Sequence, residues 1–132
     1  MKIVICGSMK FSTDMLVVKA ELELRGHEVT VPKGMEMYLS DNDTVESAEL
    51  KLQHDYIRYY HNKIFETDAI LVLNKTKNDI ENYIGGNTLM ELGFAHVMHK
   101  KIYLLHPIPQ MNYSDEIIAV QPIVIHGDLS LL

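Results

Sequence analysis

Asp68-Ala69-Ile70-Leu71-Val72-Leu73-Asn74 sets an unbroken apolar run between two polar ends. A run of that length is too short for a membrane span and has no alternation of apolar and polar residues, which predicts a strand covered on both faces at the centre of a sheet. A second run of the same kind, Lys2 to Cys6, ends at Gly7. After it, Phe11, Met15, Val18 and Leu22 recur at helical spacing up to Arg25-Gly26, and His27 to Val31 is short and β-branched before Pro32. The opening is therefore β-α-β, the unit that makes a parallel pair with a right-handed crossover.

The remainder repeats the alternation. Ala48, Leu52, Tyr56, Tyr60 and Ile64 recur every four positions, predicting a long amphipathic helix from Val45 to Phe65 after a loop over Lys33 to Thr44. Beyond Asn74, a polar connection leads to Gly85-Gly86, a helix from about Thr88 to His99, a fourth strand over Ile102 to Leu105, a short helix over Asp115 to Val120 and a fifth strand over Pro122 to Ile125. The expected fold is α/β: one domain over residues 1–132, with a doubly wound, five-stranded parallel sheet of order 2-1-3-4-5 and helices on both faces, Rossmann-like in outline.

Composition narrows the function. A chain of 132 residues supplies one sizeable core, and a net charge of −6 disfavours an extended nucleic acid as partner. The lack of a long apolar stretch or a signal peptide's cleavage pattern predicts a cytoplasmic protein with no membrane partner. Cys6 is the single cysteine and reads as core filler with no adjacent base. His54 and His61 do not have a metal-ligand spacing, so neither a metal nor a cofactor is expected.

In a doubly wound sheet the crevice opens at the carboxyl ends of strands one and three, where the connections diverge. Three segments are expected to meet there: Gly7 to Ser12, Asn74 with its following loop, and Gly85 to Glu91. The glycine pair admits a positive φ or close backbone approach to a ligand, and the helix beyond it offers N–H groups to an anion. Glu91 is then a chemical acid in the first helical turn, ionised by the helix dipole, or, with Thr88, half of a capping box. The first turn has no G-x-G-x-x-G, and the chain has no P-loop and no G-x-S-x-G, which leaves carboxylate chemistry. A carboxylate at that position can attack an anomeric carbon.

These residues resemble a known family. The segment Gly85-Gly86-Asn87-Thr88-Leu89-Met90-Glu91-Leu92-Gly93-Phe94-Ala95, with Asp68 to Asn74 and Lys2 to Ser8 before it, is similar to the nucleoside 2-deoxyribosyltransferase superfamily, which includes the 2′-deoxynucleoside 5′-phosphate N-hydrolases. The resemblance runs from Lys2 to about Leu105. It implies cleavage or transfer of an N-glycosidic bond in a nucleoside or nucleotide, Glu91 as the nucleophile at C1′, and a homodimer or larger assembly. It also implies ligand contacts from the loop Gly7, Ser8, Lys10 and Phe11, and from Gly85, Gly86 and Asn87; the segments expected to meet at the crevice add Asn74 and Thr88 as binding candidates.

Where transferases of the family often carry a base-handling aspartate, this chain has Gly85. That task falls to Asp68, Asp79, His61 or a tyrosine, with Asp68 taken as the second catalytic candidate. The Gly-Gly-x-Thr-x-x-Glu arrangement is also similar to the glycine-rich motif of phosphoribohydrolases that release cytokinin bases. A nucleotide sensor that retains the pocket without the chemistry is the alternative.

Overall fold

The computed structural model describes residues 1–32 and 55–132. Its elements in order are β1 (Lys2–Cys6), a 3-10 turn (Met9–Phe11), α1 (Ser12–Leu24), β2 (Glu28–Thr30), α2 (Tyr56–Phe65) and β3 (Ala69–Val72). They continue with α3 (Gly86–Val97), β4 (Lys101–Leu104), α4 (Ser114–Ala119), β5 (Ile123–Val124) and a closing 3-10 turn (Leu129–Leu131). The five strands form one sheet of order β2-β1-β3-β4-β5, and every pair is parallel. This is the expected topology.

The unbroken apolar runs have a direct physical cause. Successive strand residues point to opposite faces, so a strand covered on both sides needs apolar residues at every position. Ile3, Ile5, Ala69 and Leu71 face one way and pack with Met15 and Leu22 of α1 and Leu129 of the closing turn. Val4, Cys6, Ile70 and Val72 face the other way and pack with Tyr60 and Ile64 of α2, Leu92 and Ala95 of α3, and Ile117 of α4. Each fully buried Ile or Leu contributes about 1.5–3 kcal/mol of transfer free energy, which makes these two layers the main support of the sheet.

The long helix expected from Val45 to Phe65 does not run unbroken. Asp55 has φ 46 and ψ 49, the left-handed conformation, and acts as the N-cap of α2, its side chain accepting from the Arg58 N–H at 3.4 Å. The rest of that expectation, Val45 to His54, and the loop Lys33 to Thr44 lie outside the described residues. Among the described residues no helix is long and apolar enough to cross a membrane.

Candidate functional site

The carboxyl ends of β1 and β3 open into a cavity of about 230 Å³. β1 reaches it through Cys6, Gly7 and Ser8, and the 3-10 turn adds Met9. Gly7 has φ +148, and a Cβ there would lie 3.0 Å from the Leu73 carbonyl oxygen. Only glycine lets β1 turn away so close to its neighbour strand.

The facing wall is the start of α3. Gly85 is the N-cap, with φ −84 and ψ 176, and no side chain caps the helix. Gly85 and Gly86 are thus not glycines for the sake of a positive φ, which corrects one half of the sequence expectation. A Cβ on Gly86 would meet nothing within 4 Å, while one on Gly85 would lie 3.2 Å from the Tyr83 hydroxyl. Both glycines line the cavity.

Because α3 begins at Gly86, Thr88 lies inside its first turn and Glu91 in its second. The capping-box reading fails on this geometry, and Glu91 stands one turn further from the helix start than the sequence suggested. Thr88 is buried and lines the cavity, as do Asn87 and Glu91. Glu91 is the only carboxylate on the wall among the described residues.

Cys6 needs a second correction. It is not isolated from acid–base groups: burial above all, then the charge of the Glu91 carboxylate and a hydrogen bond to it, push the thiol well above its ordinary value. A thiol held protonated in this way donates to Glu91 and is a poor nucleophile.

Several expected site residues are placed elsewhere. Asp68 precedes β3 at the amino end of the sheet, where its Oδ2 accepts from the Lys2 N–H at 2.8 Å. The four residues of β3 separate it from the carboxyl edge by roughly 13 Å at the usual strand rise, so it does not reach the cavity. Asn74 is fully buried but occupied: its Nδ2 donates to the carbonyls of His106 (2.8 Å) and Pro107 (3.1 Å), and its Oδ1 accepts from the His106 N–H (2.9 Å). It clips the end of β3 to the end of β4 and is not on the cavity wall. Phe11 packs in the α1 layer, and Lys10 is exposed. Neither lines the cavity. Of the remaining candidates for base handling, Asp79 is exposed and His61 stacks edge-on against Phe94 at 5.1 Å.

The sequence left a tyrosine open for base handling without saying which, and the wall holds three. Tyr56 and Tyr60 of α2 and Tyr83 from the connection before α3 line the cavity, and Phe94 and Met90 of α3 add apolar surface. The fourfold spacing that carries Tyr56 and Tyr60 was legible, but it reads equally as core packing. Lys77 is an omission. It opens a tight hairpin in which Lys77 and Ile80 exchange backbone hydrogen bonds of 3.1 and 3.0 Å. The central pair Asn78 and Asp79 has φ 52 and 61. These two residue types tolerate the left-handed conformation that a primed two-residue turn requires. The hairpin folds Lys77 back so that its Nζ donates to Ser8 Oγ at 2.8 Å and lies 5.1 Å from the centre of the Tyr83 ring.

No family model and no curated protein matches the chain. Among solved structures, it is similar to the CMP N-glycosidase BcmB of Clostridium botulinum, with a TM-score of 0.56. The two share 16% sequence identity, over 96% of this chain and 90% of that one. At that identity the likeness is one of fold, an α/β sheet with the order described above.

Proposed function

We propose that this chain cleaves or transfers the N-glycosidic bond of a nucleoside or nucleoside 5′-monophosphate, with Glu91 as the nucleophile. The observation that carries this reading is the position of one carboxylate. Glu91 lines the cavity at the carboxyl ends of β1 and β3, between two glycine turns and beside aromatic rings suited to a flat base. The fold shared with a CMP N-glycosidase supports the same substrate class.

In the first step a Glu91 oxygen bonds to C1′ as the C1′–N bond breaks. The bonding pair leaves with the base nitrogen, which takes a proton from a tyrosine hydroxyl on the wall, where Tyr56 and Tyr83 are the candidates. In the second step water attacks C1′, the ester bond to Glu91 breaks, and the carboxylate is restored. The proton released by the water reloads the wall group. In transfer, a second base takes the place of water. The Cys6 thiol, kept protonated, donates to the carboxylate and steers it without competing as a nucleophile.

The test is base release. The protein is incubated with a panel of ribo- and deoxyribonucleosides and their 5′-monophosphates, with and without free bases, and the products are separated by chromatography. Glu91→Gln is expected to lower turnover by at least about 10³-fold, in line with the loss of other essential nucleophiles, while its circular dichroism is unchanged. Turnover in the variant equal to that of the parent would overturn the reading. A second reading is a nucleotide sensor. It is favoured by Gly85 standing where related transferases carry an aspartate. It predicts a ligand-dependent rise in melting temperature and no free base from any member of the panel.

A further inference from the structure

Tyr83 reaches the cavity wall from a segment that is tied down at three successive residues. Its own N–H donates to the Lys75 carbonyl at 3.0 Å, just beyond the end of β3. Ile84 is buried, and its carbonyl accepts from the Tyr113 hydroxyl, which comes from the loop before α4. Gly85 is the N-cap of α3, and its carbonyl accepts from the Leu89 N–H at 2.9 Å. The side chain is placed as firmly as its backbone. It folds across Gly85, so that a Cβ built there would lie 3.2 Å from the phenol oxygen and 3.3 Å from Cε1. On its ring face the Lys77 ammonium lies 5.1 Å from the centre. The phenol thus fills the space that a side chain at position 85 would claim, and its hydroxyl stands at the entry of the helix that carries Glu91.

A leaving base needs a proton that an ionised nucleophile cannot give. The Cys6 thiol is buried and hydrogen-bonded to Glu91, and Tyr60 belongs to the core layer under α2. Gly85 precedes Glu91 by six residues, about 9 Å along a helix axis, and helical side chains lean back toward the N-terminus, which shortens that gap. The result approaches the separation of about 5–5.5 Å at which a nucleophile and a proton donor flank one glycosidic bond in retaining enzymes. We propose that Tyr83 is the catalytic acid that protonates the departing base. Its O–H bond breaks as the base nitrogen, holding the electron pair of the broken C1′–N bond, takes the proton. The phenolate left behind regains a proton from the water that opens the Glu91 ester. Tyr83 takes this role only within the glycosidic reading, and the two are separable by experiment.

Base release is measured for the parent, Tyr83→Phe, Tyr56→Phe and Glu91→Gln proteins. Each is given the substrate identified by the panel and an analogue with fluorine on the base ring, whose nitrogen departs with less need of a proton. Tyr83→Phe keeps the ring over Gly85 and removes only the hydroxyl. It is expected to lower kcat on the panel substrate by roughly 10²- to 10³-fold, the usual contribution of a general acid. KM should stay within about threefold of the parent, since the lost interaction belongs to the transition state. On the fluorinated analogue the deficit should shrink by about tenfold, because a better leaving group relies less on the acid. A role in packing alone would cost both substrates alike. A kcat within about threefold of the parent, an equal deficit on both substrates, or a deficit carried by Tyr56→Phe instead would overturn the assignment. Release that requires Glu91 but not Tyr83 leaves the glycosidic reading standing without it, and a parent that releases no base from any substrate removes both.

Discussion

Two glycine turns face each other across the cavity, and they contain glycine for different reasons. At Gly7 the reason is the backbone: φ is +148, and a Cβ would press on the Leu73 carbonyl at 3.0 Å. At Gly86 the backbone opens an ordinary helix and a Cβ would meet nothing. The first glycine is needed for the chain to fold, and the second is compatible with folding as almost any small residue. What Gly86 leaves is open space on a wall it shares with Asn87, Thr88 and Glu91. A turn required by the fold and a turn that merely leaves space open look alike in a sequence, and the dihedral angle together with the space around the absent side chain separates them.

The largest expected effect on stability belongs to the first turn. Gly7→Ala should destabilise the protein by about 2–4 kcal/mol, combining a side chain in a disfavoured backbone region with a contact that the sheet cannot relax. Urea titration followed by circular dichroism measures it. A variant within about 0.5 kcal/mol of the parent would show that the turn tolerates a side chain and would dissolve the contrast. The second turn should behave in the opposite way. Gly86→Leu should leave the urea midpoint at or above the parent value, because glycine is a poor helix former. It should also weaken the ligand identified by the panel by roughly 1–3 kcal/mol as the side chain intrudes on the cavity. Unchanged affinity with unchanged stability would mean that the space beside Gly86 is not ligand space.

How far this was readable in advance varies with the kind of signal. Burial on both faces leaves a plain trace, so the β1 and β3 runs disclosed the centre of the sheet and, through the β-α-β opening, its parallel order. Direction left no such trace in the reading of Asp68 and Asn74. The two polar residues bracket the same strand, but a parallel sheet gathers ligands at its carboxyl edge, which leaves Asp68 on the far side; Asn74, on the near side, is consumed by His106 and Pro107. Thr88 misled because threonine is a common helix cap, whereas α3 starts earlier, at a glycine with no side-chain cap. Lys77 was visible only as one charge in a polar connection. Asn78-Asp79 marks the hairpin, yet nothing local indicates that the hairpin returns Lys77 to Ser8, because that contact spans 69 positions of the chain.

The two turns also meet through one contact, which gives the smallest and most discriminating prediction. Cys6 immediately precedes Gly7, and Glu91 lies on the helix that Gly86 opens; the thiol is hydrogen-bonded to the carboxylate. Burial, then the charge and hydrogen bond of Glu91, raise the thiol's pKa in the folded protein, so the folded state holds its proton where the unfolded chain has lost it. Below the unfolded thiol value of about 8.5 both states are protonated and Cys6 adds no pH dependence; above it the unfolded chain ionises first, and stability falls with rising pH by up to about 1.4 kcal/mol per unit. Lysines and tyrosines titrate in the same range, so the readable quantity is a difference between proteins. The gap in unfolding free energy between the parent and Cys6→Ala should be constant from pH 7 to about 8.5 and should shift against the parent from there to about pH 10. A gap that does not change with pH would mean that the thiol ionises as easily in the fold as out of it. Glu91 would then face no protonated partner from the first turn, and the link between the two turns would reduce to packing.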